Sequence, residues 1–287
     1  MKIAVYARQI PKNFLPAFWK MIEALNKTSA EVVLHSSLAN QFKKGTPKVT
    51  LPQFAPDFKD CDYLICIGGD GTLLDTVVIL KDKPIPVIGI NIGRLGFLAN
   101  TSISDIEGSV EDLVKGRYSI ERRTLLELKS DTPLFDYNFA LNDFVIHKKD
   151  SSSMITIHTY INGEFLNSYW SDGLIISTPT GSTGYSLSCG GPIIFPTSAN
   201  LAITPIAPHN LNVRPIIVSD EDVISFDVEG RTSSFLASLD ARSLAFDRKT
   251  QIAVKKAPYF FQLVKFNGDN FLNTLRNKLM WGIDHRN

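Results

Sequence analysis

Three glycines surround a single acid in the stretch Ile65–Leu74, which reads ICIGGDGTLL. Glycine lets the backbone approach a phosphate closely, so that bare N–H groups at the start of a helix can accept the anion. An acid is electrostatically awkward in such a loop, because a carboxylate repels phosphate. Two roles explain Asp70: it caps the following helix, or it holds a hydroxyl or a metal ion shared with the phosphates. The spacing alone favours neither role.

A second group of polar residues lies in the run 172–192, which reads DGLIISTPTGSTGYSLSCGGP. Its many hydroxyls and glycines can donate hydrogen bonds to ribose and phosphate without adding bulk. A serine-rich turn between strands is the alternative interpretation, and composition does not exclude it. The run contains no G-x-S-x-G nucleophile elbow, so the sequence disfavours a serine hydrolase of that type.

Two shorter motifs have a similar character. Residues 89–97 read GINIGRLGF and place one amide, Asn91, among glycines after an apolar run. Asn142 and Asp143 precede another apolar run, where a paired amide and acid can hydrogen-bond a base or a ribose. For Asn142 alone, a turn residue is the simpler interpretation. The sequence contains neither the G-x-G-x-x-G dinucleotide fingerprint nor a P-loop.

The elements that must position these residues begin as strands that alternate with helices. The predicted strands are 2–7, 31–35, 63–67 and 86–90, and the predicted helices are 15–25, 73–80 and one that opens at a capping box over 104–107 and ends at Gly116. This alternation predicts a mostly parallel, Rossmann-like sheet covered on both faces.

After about residue 120 the hydrophobic period changes to two. Apolar and polar residues alternate over 155–161, and Asn162-Gly163 follows as a hairpin signal. The same rhythm continues over 223–227 and 235–239, across the turn-like segment 229–231. This half of the chain is predicted to be antiparallel β, and residues 271–281 are predicted to form a terminal helix.

Composition excludes several classes of protein. The 287 residues carry a formal net charge of +1, so no overall field favours a nucleic acid or a membrane partner. The N-terminus lacks a secretory signal and no run approaches the roughly 20 apolar residues of a membrane span, so we expect a cytoplasmic protein. Three cysteines without a C-x-x-C pair and five scattered histidines disfavour a disulfide framework or a protein-only metal site.

Taken together and in this order, the motifs resemble the NAD kinase family. The matching segments are GGDGT at 68–72, GINIGRLGFL at 89–98, Asn142-Asp143 and the run 172–192, and Asp240 in SLDAR adds a further match. GGDGT alone is weak, because diacylglycerol kinases, sphingosine kinases and phosphofructokinases carry related loops. The hydroxyl-rich run TPTGSTGYSLSCGGP is much more specific.

The resemblance implies transfer of the γ-phosphoryl group of ATP to the 2′-hydroxyl of the adenosine ribose of NAD, with Asp70 as the catalytic carboxylate. It implies that Gly68, Gly69, Gly71, Thr72 and Asn91 bind the ATP phosphates, and that Asn142, Asp143, Asp172, Thr180, Thr183, Tyr185, Ser188 and Asp240 bind NAD. It also implies an α/β domain over 1–122, a β-rich domain over 123–258, a segment over 259–287 that returns to the first domain, and a homo-oligomer, either a dimer or a tetramer.

Two positions depart from the family pattern. The family often has Glu where this chain has Asp143, a shorter acid that alters reach rather than chemistry. Bacterial members often read Asp-Gly-Gln where this chain has Asp240-Ala241-Arg242.

Phosphoryl transfer requires mainly positioning and charge neutralisation. Because the chain has no P-loop lysine, we expect backbone N–H groups and a divalent ion, Mg²⁺ carried by ATP, to offset the phosphate charge. Arg94 is a further candidate, and a solvated surface role explains it equally well.

Two other functions compete with the kinase. A lipid kinase shares GGDGT, but the sequence shows no polybasic run or amphipathic anchor, and that function leaves the run 172–192 unexplained. A dinucleotide sensor without catalytic activity is the second, and the intact glycine loop with its acid argues against it.

Overall fold

The apolar runs of the first third form a parallel sheet. The computed structural model describes residues 1–42, 53–55, 58, 60–93, 96–149 and 153–280. The first strands are β1 (Lys2–Tyr6), β2 (Glu31–His35), β3 (Gln53–Ala55), β4 (Tyr63–Gly68), β5 (Val87–Asn91) and β6 (Thr101–Ser102). Strands β1 to β5 lie in the order β3-β2-β1-β4-β5, and each neighbouring pair is parallel. The short β6 joins β5, also in parallel.

Helices cover both faces of this sheet. They are α1 (Leu15–Lys27), α2 (Ala39–Phe42), α3 (Asp70–Leu80) and α4 (Ile106–Val114). In β4, Ile65 and Ile67 belong to a core cluster that also contains the buried faces of α1 and α4. Leu64 and Cys66 point to the opposite face and are buried as well. The predicted sheet with two covered faces is therefore confirmed.

Two of the predicted helix starts are wrong. Helix α3 begins at Asp70, three residues before the predicted start, because the glycine loop itself supplies its first turn. The helix predicted to open at the capping box 104–107 begins at Ile106 instead: its N-cap is Asp105, and a 3₁₀ turn at Ile103–Asp105 precedes it. Gly116 follows the end of α4 with a φ of 68°, as expected for a glycine after a helix.

The middle of the chain is antiparallel β structure. Its strands are β7 (Tyr118–Ser130), β8 (Phe139–Ala140), β9 (Asp143–Lys148), β10 (Ile155–Ile161), β11 (Glu164–Ser171), β12 (Gly173–Ser177), β13 (Asn200–Ile206), β14 (Ile216–Ser219), β15 (Ile224–Glu229), β16 (Ser234–Leu239), β17 (Arg242–Asp247) and β18 (Ile252–Phe266), with one short helix, α5 (Tyr185–Ser188). The predicted hairpin is confirmed: β10 and β11 pair across Asn162 and Gly163, both with positive φ.

Within this unit two sheets pack face to face. One contains β11, β10, β15 and the first part of β18, and the other has the order β14-β13-β12-β9-β16-β17. Side chains from both sheets, including Ile157 and Phe226 from the first and Phe144 and Phe235 from the second, form one buried cluster. The segment 229–231 connects β15 in the first sheet to β16 in the second, so it is not a hairpin within one sheet.

The chain divides into two compact units. The first unit comprises Met1–Arg122 and Gln262–Asn287, and the second comprises Arg123–Phe261. The terminal residues belong to the first unit, where Leu263 of β18 pairs in parallel with Val87 of β5 and helix α6 (Phe271–Leu279) follows. The predicted fold class is confirmed, including the return of the terminal segment. Trp281, the last residue of the predicted terminal helix, lies outside the described residues.

None of the helices in the described part of the chain is both long and apolar enough to cross a bilayer.

Candidate active site

The glycine loop lies where the strand order of the first unit reverses. Strands β2 and β3 lie on one side of β1, whereas β4 and β5 lie on the other. In open parallel sheets, ligands bind at the carboxyl ends of the two strands that flank such a reversal. Here those strands are β1, which ends at Tyr6, and β4, which ends at Gly68.

Asp70 is not the cap of the helix that it opens. The N-cap of α3 is Gly69, and Asp70 is the first helical residue. Its carboxylate instead accepts three backbone hydrogen bonds: Oδ2 from the N–H of Phe97 at 2.8 Å, and Oδ1 from those of Leu98 at 3.0 Å and Ala99 at 3.2 Å. The helix-cap interpretation of Asp70 is thereby removed, and the carboxylate is held in one orientation by the loop that follows β5.

That loop approaches Asp70 so closely that Gly96 has no room for a side chain. A Cβ at Gly96 would lie 1.9 Å from Oδ1 of Asp70. The side chain of Asp70 still keeps 29% of its surface exposed, and Nζ of Lys278 lies 3.9 Å from its Oδ2. The carboxylate is therefore both fixed and open to solvent.

The glycines that precede and follow Asp70 differ in their surroundings. A Cβ at Gly68 would lie within 2.9 Å of three atoms of the Thr72 side chain, whereas a Cβ at Gly69 or Gly71 would meet no atom within 4 Å. Gly69 has a φ of −100° and Gly71 is helical, so backbone conformation does not demand glycine at either position. Glycine in a helix costs about 0.5–1 kcal/mol relative to alanine. The open space beside both residues thus fits the close approach of a ligand.

Arg8 braces this loop from the end of β1. Its Nη2 donates to the carbonyl of Gly71 at 3.1 Å, and its guanidinium donates to both carboxylate oxygens of Asp75, at 2.5 and 2.6 Å. The hydroxyl of Tyr6 also donates to Asp75, at 2.8 Å. Sequence patterns did not single out Arg8, because its partners lie more than sixty residues away.

Asn91 holds the loop that contacts Asp70. The side chain is 5% exposed; its Oδ1 accepts from the N–H of Gly93 at 2.6 Å, and its Nδ2 donates to the carbonyl of Ala99 at 3.2 Å. These bonds fix the shape of the segment whose N–H groups bind Asp70. Arg94 lies outside the described residues.

In the second unit, two of the predicted motifs lie side by side. Asp143 opens β9 and Ser177 closes β12, and the two residues pair across these antiparallel strands. The hydroxyl of Thr178 then donates to the carbonyl of Leu141 at 2.6 Å, and its N–H donates to the carbonyl of Asn142 at 2.9 Å. The structure therefore brings Asn142 and Asp143 to the start of the hydroxyl-rich run. Thr178 is a member of that run to which the sequence assigned no role.

The close packing of this corner explains a glycine of the run. A Cβ at Gly181 would lie 2.1 Å from the carbonyl oxygen of Asn142. The side-chain amide of Asn142, in contrast, makes no hydrogen bond with any described residue. The backbone of Asn142 is thus fixed while its amide remains available.

Asp240 joins the same corner from the turn after β16. Its Oδ2 accepts from the N–H of Leu141 at 2.9 Å, and its Oδ1 accepts from those of Asn142 at 2.7 Å and Asp143 at 3.3 Å. Arg242 donates to the carbonyls of Tyr137 and Phe139. Asp240, which matches the family pattern, and Arg242, which departs from it, therefore hold the backbone that leads to Asn142 and Asp143.

Asp143 and Asp240 lie close together, and they differ in the hydrogen bonds that they accept. Burial, and secondarily the charge of Asp240, raises the pKa of Asp143 to about 7. The Asp143 carboxylate is 7% exposed and accepts no hydrogen bond from the described residues. Burial also raises the pKa of Asp240, but the three N–H groups and Arg242 oppose that shift. Of the two acids, Asp143 is the one that holds a proton more readily, because Asp240 has the donors that stabilise an anion.

The remaining residues of the hydroxyl-rich run are divided between the interior and the surface. Thr180 is buried and accepts from Nη1 of Arg123 at 3.2 Å, and the hydroxyl of Thr183 donates to the carbonyl of Thr180 at 3.3 Å. Tyr185 and Ser188 on α5 are exposed. Although the Tyr185 side chain is exposed as a whole, partial burial raises the pKa of its hydroxyl, and Cys189, Asp143 and Asp172 make smaller contributions.

Asp172 lies at the opposite end of β12 from this corner. It precedes Gly173, the first residue of the strand, and its carboxylate pairs with Nζ of Lys148 at 2.5 Å. Five strand residues separate it from Thr178, a length of roughly 17 Å. The structure therefore does not bring Asp172 together with Asn142 and Asp143, although its charge acts on Tyr185.

No cluster of three or more His, Cys, Asp or Glu side chains in the described part of the chain is arranged to hold a metal ion.

Comparison with known proteins identifies the family. The model of the ATP-NAD kinase N-terminal domain matches residues 19–118, and that of the ATP-NAD kinase C-terminal domain matches residues 141–266. The NAD kinase of Cytophaga hutchinsonii is 48% identical over 294 aligned residues, which cover the full length of both chains.

Two solved structures share the fold at 24% identity. Yeast NADH kinase in complex with NADH has a TM-score of 0.89 and covers 99% of this chain and 88% of its own. The NAD kinase of Archaeoglobus fulgidus in complex with ATP has a TM-score of 0.77, covering 98% and 99%. With both family domains matched and a relative aligned from end to end, the chain belongs to the ATP-NAD kinase family.

Proposed function

We propose that this protein is an ATP-dependent NAD kinase, which transfers the γ-phosphoryl group of ATP to the 2′-hydroxyl of the adenosine ribose of NAD. The products are NADP and ADP. The observation that carries the proposal is the carboxylate of Asp70, fixed by three N–H groups beside an open glycine loop in a chain of this family.

Asp70 acts as the base and the orienting group for the 2′-hydroxyl. Its Oδ1 accepts two backbone N–H groups but Oδ2 accepts only one among the described residues. A carboxylate oxygen has two acceptor positions, so Oδ2 keeps one for the hydroxyl of NAD. As the new bond from the ribose oxygen to phosphorus forms, the hydroxyl proton passes to Asp70 and the bond from the γ-phosphorus to the bridging oxygen breaks. The transition state is loose, so a weak base in a fixed position suffices.

The ATP phosphates bind at the glycine loop. The first N–H groups of α3, from Asp70 and Gly71, have no acceptor within the helix and lie at its positive end. The open sides of Gly69 and Gly71 admit the phosphates to these groups. Gly68 lets the Thr72 side chain pack over the end of β4, and Asn91 acts indirectly by shaping the loop around Asp70.

A kinase of this family takes up ATP with a divalent metal ion, and we infer that the ion is Mg²⁺, which prefers phosphate oxygens and arrives with the nucleotide. When bound, this ion offsets the charge of the phosphates.

The second unit binds NAD. Asn142 offers a side-chain amide that bonds no described residue, and the raised pKa of Asp143 favours its protonated form, so the pair can present donors and an acceptor to the adenosine part. Thr180, Thr183, Tyr185 and Ser188 line the dinucleotide site near this pair, and Asp172 lines it farther away, at the opposite end of β12. Asp240 supports the site by fixing the backbone of residues 141–143.

One assay tests the function. Purified protein is incubated with ATP, Mg²⁺ and NAD, and NADP is detected with an NADP-specific dehydrogenase. NADP formation that requires ATP supports the kinase. NAD binding without product supports a sensor. Phosphorylation of diacylglycerol in vesicles, without NAD binding or NADP formation, supports a lipid kinase. A parallel reaction with NADH defines the preferred redox form.

We also expect a homo-oligomer, either a dimer or a tetramer, in the cytoplasm. Light scattering on the purified protein measures the subunit number, and a mass equal to one chain of 31.9 kDa contradicts this expectation.

A further inference from the structure

A lysine from the end of the chain lies beside Asp70. Lys278 is on α6, and its Nζ lies 3.9 Å from Oδ2 of Asp70, beyond hydrogen-bond distance. The same ammonium lies 4.8 Å from the centre of the Phe97 ring, within the range of a cation–π contact. Phe97 is also the residue whose N–H binds Oδ2 of Asp70. The lysine is thus placed against both the carboxylate and the loop that holds it.

Helix α6 is anchored well enough to hold this position. Its N-cap, Asn270, accepts a side-chain hydrogen bond from the N–H of Leu272 at 2.8 Å, and Leu275 is 4% exposed. The ring of Phe271 lies 6.3 Å from the ring of Phe97, so both ends of the helix contact the same loop residue. The side chain of Lys278 remains 34% exposed and can move without displacing the helix.

Arg8, which also contacts the glycine loop, is already committed to an acid. Its guanidinium forms two hydrogen bonds with Asp75, and a third with the carbonyl of Gly71. To bind phosphate through this fork, Arg8 must give up its bonds to Asp75. Lys278 makes no hydrogen bond with any described residue, so its three N–H donors are available at no such loss.

We propose that Lys278 binds the polyphosphate of ATP and supplies the cation that the glycine loop lacks. This inference rests on the proposed kinase function. An ammonium is a compact point charge, which suits the several equivalent oxygens of a polyphosphate better than a planar fork does. On ATP binding, Nζ moves from its distant contact with Asp70 to a phosphate oxygen, and Oδ2 of Asp70 is left to the ribose hydroxyl.

The test compares three variants. Lys278→Met removes the charge but keeps an unbranched side chain that can still pack on Phe97. Lys278→Arg restores a cation, and Arg276→Met removes an exposed cation from the same helix as the matched control. We expect Lys278→Met to raise the KM for ATP about tenfold while the KM for NAD changes less than about twofold. The Arg variant should recover most of the affinity for ATP, and the Arg276 variant should behave as wild type.

Calorimetric titration of ATP without NAD provides a readout that does not need turnover. The affinity should fall by the same factor in Lys278→Met, and its salt dependence should weaken. An unchanged KM and affinity for ATP overturn the inference. A loss of kcat alone also overturns it, because Lys278 then acts through Asp70. A rise in the KM for NAD alone overturns it as well. If the wild-type protein makes no NADP, the kinase function fails, and the titration still decides the role of Lys278.

Discussion

Acids serve the two units of this molecule in opposite ways. In the first unit, Asp70 stands at an open loop with 29% of its side chain exposed and keeps an acceptor position on Oδ2. In the second unit, Asp143 is 7% exposed and accepts no hydrogen bond from the described residues, while its neighbour Asp240 uses both oxygens on backbone N–H groups. The same residue type is therefore an exposed carboxylate in one unit, and a buried acid with a raised pKa or a backbone clamp in the other.

The difference teaches that donors and burial decide what a carboxylate does. Asp70 and Asp240 each accept three consecutive backbone N–H groups, so both organise a segment of chain. Only the exposed one can also meet a substrate hydroxyl. Asp143 has burial without donors, and it therefore keeps its proton up to about neutral pH.

The largest expected effect follows from replacing Asp70, the carboxylate that we propose as the base. Asp70→Asn should lower kcat about 100-fold or more, because the amide cannot take the proton of the ribose hydroxyl. Binding of NAD, measured by calorimetry, should change little. Asp82→Asn, an exposed acid just after α3, is the matched control. Turnover near the wild-type value in Asp70→Asn would remove the catalytic role.

The buried acid should instead reveal itself in stability. With a folded pKa of about 7 against an ordinary 3.8, Asp143 binds a proton that the unfolded chain has lost. Its stabilising contribution is complete below pH 3.8 and is lost as pH rises through 7. Relative to wild type, Asp143→Asn is expected to gain about 3 kcal/mol in free energy of unfolding when the pH is raised from 5 to 8. Urea denaturation at pH 5 and pH 8 measures this difference in stability, and Asp227→Asn, at an exposed acid, is the control. An equal pH dependence of stability in Asp143→Asn and wild type contradicts the prediction.

The packing around Asn142, in the proposed NAD site, should give a smaller effect on binding. Gly181→Ala places a Cβ 2.1 Å from the carbonyl oxygen of Asn142, so the residue that presents the amide must shift. The KM for NAD should rise about tenfold, and that for ATP should stay constant. Gly108→Ala, where a Cβ meets no atom within 4 Å, is the control. A folded Gly181→Ala protein with a wild-type KM for NAD would show that this corner takes no part in NAD binding.

The smallest effect is expected at the brace of the glycine loop. Arg8→Lys keeps the charge but loses the fork that bonds Asp75 and the carbonyl of Gly71 together. The KM for ATP should rise about threefold, a smaller change than that for Lys278→Met. Arg117→Lys, on a surface ion pair with Asp112, is the control. If Arg8→Lys raised the KM for ATP more than Lys278→Met does, the roles assigned to the two cations would be reversed.

Local patterns predicted much of the fold. Hydrophobic period alone separated the parallel part from the antiparallel part, and Asn162-Gly163 gave the hairpin because both residues adopt positive φ. The helix starts were less predictable. At 104–107 the residues fit a capping box, but a 3₁₀ turn takes up that segment and moves the cap to Asp105.

The candidate site was predicted only where its residues are consecutive in sequence. The glycine loop and the hydroxyl-rich run are such segments. Lys278 and Arg8 were missed, because their positions depend on how distant strands and helices pack, and nothing in their neighbouring residues signals it. The contact of Asp240 with NAD, implied by the family resemblance, stays a prediction, and the three N–H distances add a clamp on the backbone that the sequence did not indicate.

The first unit is built from two separate segments of the chain, and this constrains the order in which the protein can fold during synthesis. Its last parts, residues 262–266 of β18 and helix α6, leave the ribosome only after the whole of Arg123–Phe261 has been synthesised. Until then β5 lacks Leu263 as its partner, so we expect the first unit to complete its folding after the second. Limited proteolysis of a released chain truncated after Phe261 should find the second unit protected and the first susceptible. A premature stop near the end of the message thus disables the half of the protein that was translated first.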